Sequence, residues 1–174
     1  MTNDQSLMTK LKEISMVVIA DENNGIGKEN KLLAHMPADL RHFKNLTVGF
    51  PVIMGRKTFD SVDNKPLPKR RNIIITTQKD LNFAGAEVVH SVPEALNLCR
   101  GEEKVAIVGG ATIYEQSMHL ADTIHLTRIH HTFEADTFFP EIDLSKWEEI
   151  TNEYFAPDDK NPFPYSFITY KKKR

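Results

Sequence analysis

The chain has 174 residues, a length suited to one domain, and 40% of them are hydrophobic, which gives a real core and excludes a disordered chain. Its 22 lysines and arginines stand against 24 acidic residues, and a formal charge of −2 provides no global attraction to nucleic acid. No apolar run reaches membrane-spanning length, and the one cysteine, Cys99, excludes an internal disulfide and is expected at a buried helix position.

Residues 1–13 are polar, mixed in charge and carry no secretory pattern, so a flexible extension is expected there, followed by one domain over residues 14–174. The first strand is expected at Ser15–Ala20. The glycine stretch Asn23-Asn24-Gly25-Ile26-Gly27-Lys28 follows. It lacks the third glycine and the strand context of a dinucleotide fingerprint, and reads better as a mobile lid with glycine hinges. Pro37 suits the first position of a helix, because its fixed φ fits and its missing N–H is not needed. The helix is expected over Ala38–Leu46. Asp39, Phe43 and Leu46 share one face at i, i+4, i+7, with Leu40 and Thr47 filling the same side. A carboxylate in an apolar stripe is costly unless a cation or hydrogen-bond donor meets it, and a ligand can be that partner. An acidic residue facing the positive end of a helix is the commoner reading of such a position taken alone.

The strand Val52–Met54 ends in Gly55, and the helix Arg56–Ser61 begins at once. Val105–Val108 repeats that grammar through Gly109-Gly110 into Ala111–Ser117. Each places backbone N–H groups at the end of a strand, which suits a phosphate or a plain tight turn. Two such segments, one with Arg56 and Lys57, suggest a dinucleotide. Between them lie strands at Asn72–Thr76 and Glu87–Val89 and a helix at Pro93–Cys99. Pro66-Leu67-Pro68 reads as a rigid turn into the basic run Lys69-Arg70-Arg71. The next strand is Thr123–Ile129. The adjacent His130 and His131 point to opposite faces of an extended chain, so no metal is assigned. Trp147–Phe155 and Pro164–Tyr170 read as a hairpin joined by the turn-rich Pro157–Pro162, and the basic tail from Lys171 to Arg174 as a solvated strand end. The expected fold is α/β: a single-domain mixed, mostly parallel sheet flanked by helices on both faces, with a C-terminal antiparallel hairpin.

Several of these segments together resemble dihydrofolate reductase. They are the strand Ile14–Ala20, Asn24-Gly25-Ile26-Gly27-Lys28-Glu29-Asn30, Met36-Pro37-Ala38-Asp39-Leu40, Pro51-Val52-Ile53-Met54-Gly55-Arg56-Lys57-Thr58, Pro66-Leu67-Pro68-Lys69-Arg70, Val108-Gly109-Gly110 and Asp136-Thr137-Phe138-Phe139-Pro140. They occur in that family's order and spacing from Ile14 to Tyr170. The resemblance implies NADPH-dependent reduction of dihydrofolate to tetrahydrofolate for one-carbon metabolism, in a cytoplasmic monomer that also takes antifolate-type small molecules. It implies no nucleic-acid or membrane partner.

Residue by residue, the resemblance makes Asp39 the carboxylate for the pterin's aminopyrimidine edge, hydrogen-bonded by Thr127, with Leu32 gating the nicotinamide. Val17, Val18, Leu40, Ser61 and Val108 fall in the substrate site. Phe43, Val62 and Leu67 flank the benzoyl ring, and Arg70 grips the α-carboxylate. Ile19, Gly25, Ile26 and Gly27 face the nicotinamide end of the cofactor. Gly55, Arg56, Lys57, Thr58, Thr76, Thr77 and Gln78 match its phosphate region; an arginine beside hydroxyls suits a 2′-phosphate. Gly109, Gly110, Ala111, Thr112, Ile113 and Tyr114 match the pyrophosphate region, including the family's cis Gly-Gly bond.

One position departs from the pattern: Ala34 stands where the family usually has tryptophan. Three readings follow: a pocket rebuilt by Leu33, His35 or Met36, a variant with altered ligand affinity, or a weakened enzyme. A looser pterin site is expected. The competing functions are a related reductase of another heterocycle, such as the pyrimidine reductase of riboflavin synthesis, and a catalytically weakened pterin- and NADPH-binding protein.

Overall fold

Runs of β-branched residues that no polar position interrupts set the sheet. Ile73, Ile74 and Ile75 are all buried, so their strand is covered on both faces. The computed structural model describes residues 11–174, and its first strand, β1, is Glu13–Ala20. The extension expected over residues 1–13 therefore falls mostly outside the described residues, and its last residue already pairs with Lys104.

The elements continue as β2 (Gly25–Gly27), α1 (Pro37–Thr47), β3 (Val52–Gly55), α2 (Arg56–Ser61), β4 (Asn72–Ile75), β5 (Ala86–Val89), α3 (Val92–Leu98), β6 (Lys104–Gly109), α4 (Ala111–Ser117), β7 (Thr123–Ile129), β8 (Thr137–Phe138), β9 (Trp147–Phe155) and β10 (Tyr165–Lys172). The main sheet has eight strands in the order β5-β4-β3-β6-β1-β7-β10-β9. The pairings from β5 to β7 are parallel, and β10 is antiparallel to both β7 and β9.

Alternation along the strands divides the core. Met16, Val18 and Ala20 of β1 pack with Val92 and Ala95 of α3 and Ile113 and Tyr114 of α4. Val17 of β1 joins Val52, Met54, Ile74 and Phe59 on the opposite face, with Phe43 and Leu46 of α1 against them. Thus α1 and α2 cover one face, and α3 and α4 the other. Cys99 follows α3 rather than ending it; it is buried, and burial pushes its thiol up to about 11, which makes it unreactive.

In the segment expected as a mobile lid, Gly25–Gly27 forms a short strand, antiparallel to Thr137–Phe138 in a separate two-stranded ladder. Two glycines in three residues give no local β-preference, so this ladder depends on distant anchors. The basic tail is likewise part of the fold. The Lys172 ammonium lies 5.3 Å from the Trp147 ring centre and donates to the His119 carbonyl oxygen at 2.9 Å, and β10 runs two residues past Tyr170.

Candidate active site

Pro37 opens α1, but the cap comes from far away in the chain. Asn161, buried in the loop between β9 and β10, accepts a hydrogen bond from the Ala38 N–H at 3.0 Å. Asp158 in turn accepts the Asn161 backbone and side-chain N–H groups at 2.8 and 3.0 Å. This fixes the first turn of α1 and with it Asp39, one position further on.

Asp39 is half-buried against the α1 face of the sheet. Burial pushes its carboxyl up from the ordinary 3.8 to about 6, and a hydrogen bond from the Thr127 side chain works in the opposite direction. Thr127 is buried on β7, in register with Ile19 of β1 and Phe167 of β10. No ion pair to Asp39 is present among the described residues. The carboxylate therefore keeps acceptor capacity that the protein does not use.

The same helix places Phe43 one turn on and Thr47 one turn further. The Thr47 hydroxyl donates to the Phe43 carbonyl at 2.8 Å and accepts from Arg70 Nη1 at 2.9 Å. Arg70 Nε donates to the Pro68 carbonyl at 2.9 Å, and the guanidinium carbon lies 5.9 Å from the centre of the Phe43 ring. The Pro66–Arg70 turn is itself tied down by Asn72, which accepts the Leu67 N–H at 2.8 Å and donates to the carbonyls of Leu67 and Arg70. Leu67 and Val108 are half-buried against the same core face, while Leu40 and Val62 are exposed at the rim. Ser61 is exposed and bonds back to the Thr58 carbonyl. Val18 points its side chain to the opposite face, so only its backbone is available to a ligand there.

A second group gathers where β3 and β6 end. The Gly109–Gly110 peptide is cis. A Cβ on Gly109 would lie 2.7 Å from Thr58 Oγ1, and one on Gly55 would lie 3.2 Å from Ile113 Cγ1. Glycine is required because α2 and α4 press against the strand ends, leaving bare backbone. Arg56 Nε donates to Asp60 Oδ1 at 3.1 Å, and its Nη1 donates to Gln78 Oε1 at 3.2 Å. Thr76 Oγ1 accepts the Gln78 N–H, while Lys57 and Thr77 are exposed. Ala111 and Thr112 begin α4 beside this backbone. Tyr114 is buried, and its hydroxyl donates to the Val17 carbonyl at 2.7 Å, linking α4 to the strand below the site.

The lid carries residues that the sequence reading passed over. Asp21, buried at the end of β1, accepts the N–H groups of Asn23, Gly25 and Phe133 at 2.7–2.9 Å. Asp136 accepts the Glu29 N–H at 2.9 Å, and its own N–H donates to the Gly27 carbonyl at 3.0 Å. Arg128 Nη1 donates to both the Asp21 carbonyl and Asn24 Oδ1. The Asp-x-x-x-Gly spacing at Asp21 is a turn signal that would have found the first of these. Leu32 is exposed and, with Ile19, Ile26, Leu33, Ala34 and Ile129, lines a small apolar cavity under the lid. Of the neighbours expected to rebuild the space beside Ala34, Met36 is buried, Leu33 turns into the cavity and His35 points to solvent. His130 and His131 part as expected: the first bridges Glu22 and Ser166, and the second packs on Phe133 and Phe163.

A family model described as dihydrofolate reductase matches residues 13–172. A dihydrofolate reductase of Bacillus subtilis (strain 168) is 44% identical over 160 residues, covering 92% of this chain and 95% of that protein. One of Staphylococcus haemolyticus is 40% identical over 167 residues, covering 96% and 100%. Among solved structures, the dihydrofolate reductase from Enterococcus faecalis complexed with NADP(H) and RAB-propyl superposes with a TM-score of 0.88 at 37% identity, covering 93% of this chain and 97% of that one.

Proposed function

The chain belongs to the dihydrofolate reductase family, and we propose that Asp39 is the group around which its chemistry is organised. The protein is an NADPH-dependent oxidoreductase that reduces 7,8-dihydrofolate to 5,6,7,8-tetrahydrofolate for one-carbon metabolism. The carrying observation is a half-buried carboxyl of pKa about 6 with unused acceptor capacity, beside Thr127.

Asp39 accepts two N–H bonds from the aminopyrimidine edge of the pterin, a geometry that suits an ionised carboxylate. With its pKa close to neutrality it also serves proton exchange, because it holds or releases a proton at small cost. Thr127 fixes the carboxyl's orientation. Arg70, oriented by Thr47 and Pro68, takes the substrate's α-carboxylate, and Phe43, Val62 and Leu67 flank the ring between the two polar ends. Leu40, Ser61, Val17 and Val108 complete the walls, and Val18 contributes backbone.

The residues fit the cofactor. At Gly55 and at Gly109–Gly110 the backbone has no room for a Cβ, because Ile113 and Thr58 press against it, and so it stays bare for a pyrophosphate in close approach. Arg56, Lys57, Thr58, Thr76, Thr77 and Gln78 serve the 2′-phosphate end. Ala111, Thr112, Ile113 and Tyr114 support the pyrophosphate, while Ile19, Gly25, Ile26 and Gly27 serve the nicotinamide end, with Leu32 above. Bound NADPH supplies the hydride. The protein's part is orientation and exclusion of water, for which Asp21 and Asp136 anchor the lid.

Antifolate-type ligands with the same donor edge compete at Asp39. Among the described residues no helix is long and apolar enough to cross a membrane, and the same reading takes the protein as a cytoplasmic monomer acting on small molecules. No observation favours a reductase of another heterocycle or a weakened binder. The test is steady-state NADPH oxidation by the purified chain with and without dihydrofolate. Dihydrofolate-dependent turnover supports the reading; folded, NADPH-binding protein with no such turnover overturns it.

A further inference from the structure

Phe83 lies in the loop between β4 and β5, outside every group of residues assigned above, yet it is the third contact of the Arg56 guanidinium. The guanidinium carbon sits 5.3 Å from the centre of the Phe83 ring. We propose that Phe83 is a positioning residue for cofactor discrimination: it presents the Arg56 guanidinium to the 2′-phosphate and so favours NADPH over NADH. This rests on the assignment of Arg56 to that phosphate.

A guanidinium carries five N–H donors in a plane. Here Nε is committed to Asp60 and one N–H of Nη1 to Gln78, and one face of the plane is covered by Phe83. Three N–H groups, one on Nη1 and two on Nη2, have no partner among the described residues and are left for an anion. Neighbouring N–H groups of this plane can pair with two phosphate oxygens at once. The arginine side chain is one-third exposed, so without these contacts it would sample many rotamers, and phosphate binding would have to order it.

The ring is itself held from below. Phe83 meets Phe59 edge to face, with centres 4.9 Å apart, and Phe59 is fully buried in the core under α2. Arg56, Phe59 and Asp60 all belong to α2. One short helix thus supplies the arginine, its carboxylate partner and the anchor of its aromatic platform. Asp60 offsets part of the guanidinium's charge, which leaves orientation as the larger contribution of the cluster to selectivity.

The experiment compares KM and kcat for NADPH and for NADH in the wild type, Phe83→Leu, Phe83→Tyr and Arg56→Gln, with thermal melts of each. Leucine keeps apolar burial and removes the π face. The expected result for Phe83→Leu is a rise in KM for NADPH of about two- to fivefold, with kcat and the NADH constants unmoved. Phe83→Tyr, which keeps the face, restores the wild-type KM. Equal changes with the two cofactors, or no change with either, overturn the role of Phe83 when Arg56→Gln still erodes the NADPH preference. If Arg56→Gln leaves that preference intact, the phosphate assignment itself fails, and Phe83 with it.

Discussion

Replacing Asp39 with asparagine separates chemistry from stability, and the two are expected to move in opposite directions. The folded chain holds this carboxyl at about 6 instead of the ordinary 3.8. A difference of that size corresponds to roughly 3 kcal/mol between the protonated and ionised forms. The sign follows from proton binding. At low pH the carboxyl is protonated in both folded and unfolded chains, and nothing is lost. As pH rises from about 4 to about 6, the unfolded chain releases its proton first, so stability falls. Above that window the cost is complete. Asparagine has the same shape and no charge to bury, although its amide still costs about 1 kcal/mol to desolvate. Asp39→Asn is therefore expected to be more stable than the wild type by about 2 kcal/mol near pH 8 and to gain nothing near pH 4. Urea melts at the two pH values read this directly. Turnover moves the other way, with a loss of about 10²–10⁴-fold at neutral pH because the proton-exchanging group is gone. A variant with near-wild-type turnover at neutral pH would refute the chemical role. A stability difference equal at both pH values would refute the electrostatic account.

Arg70→Gln should raise KM for dihydrofolate by roughly 10- to 100-fold, as expected for a lost charge-assisted pair, and a pterin substrate without the carboxylate tail should show no difference between wild type and variant. Asn161→Ala removes the cap on the Ala38 N–H and should lower stability by about 1 kcal/mol, read as a drop of a few degrees in Tm. Gly25→Ala would place a Cβ 2.7 Å from the Ala135 Cβ and 3.0 Å from Asp21 Oδ1; it should lower kcat by loosening the lid, and Ala135→Gly in the same chain should recover part of the loss, whereas two independent sites would give additive effects.

The parts of the fold that were legible are those whose signal is local. Arg56–Ser61, Ala111–Ser117, Thr123–Ile129 and Trp147–Phe155 have the bounds read from their residues, because glycine ends and apolar runs mark them in place. The β2–β8 ladder was not legible: its three-residue strand has two glycines, and it is anchored from outside, by Asp21 accepting the Gly25 N–H and Asp136 accepting the Glu29 N–H just beyond the strand. The end of β10 was hidden because a lysine run reads as solvated. Lys172 instead sets its ammonium over the Trp147 ring and donates to carbonyls after α4. The start of α1 could be placed from Pro37, but its cap, Asn161, lies 123 residues away from Ala38. In the site, Asp39 and Arg56 stood out by residue type and local pattern. Phe83 did not, since a phenylalanine in a polar loop gives no sign of which cation it will meet.

Asp21 and Asp39 show why burial alone does not identify a working acid. Asp21 is the more deeply buried of the two, at 1% exposure. Its carboxylate nonetheless receives three backbone N–H groups, from Asn23, Gly25 and Phe133. Its acceptor sites are used, and its work is to join the end of β1 to the lid and to the segment after β7. Asp39 is less buried, yet the one hydrogen bond from Thr127 does not make up for the water it has lost, and its pKa rises to about 6. The difference lies in donor supply. An acid whose oxygens are filled by backbone holds the fold in place; an acid left short of donors gains from a ligand that brings them. The same contrast separates the arginines. Arg71 is held by both oxygens of Glu87 and by the Leu98 carbonyl, whereas Arg56 and Arg70 are each oriented by two hydrogen bonds and an aromatic ring and keep N–H groups for an anion. Partial satisfaction fixes the direction of a polar group while leaving it something to bind, and Asp39, Arg70 and Arg56 are in that condition where the pterin edge, the substrate carboxylate and the cofactor phosphate are assigned.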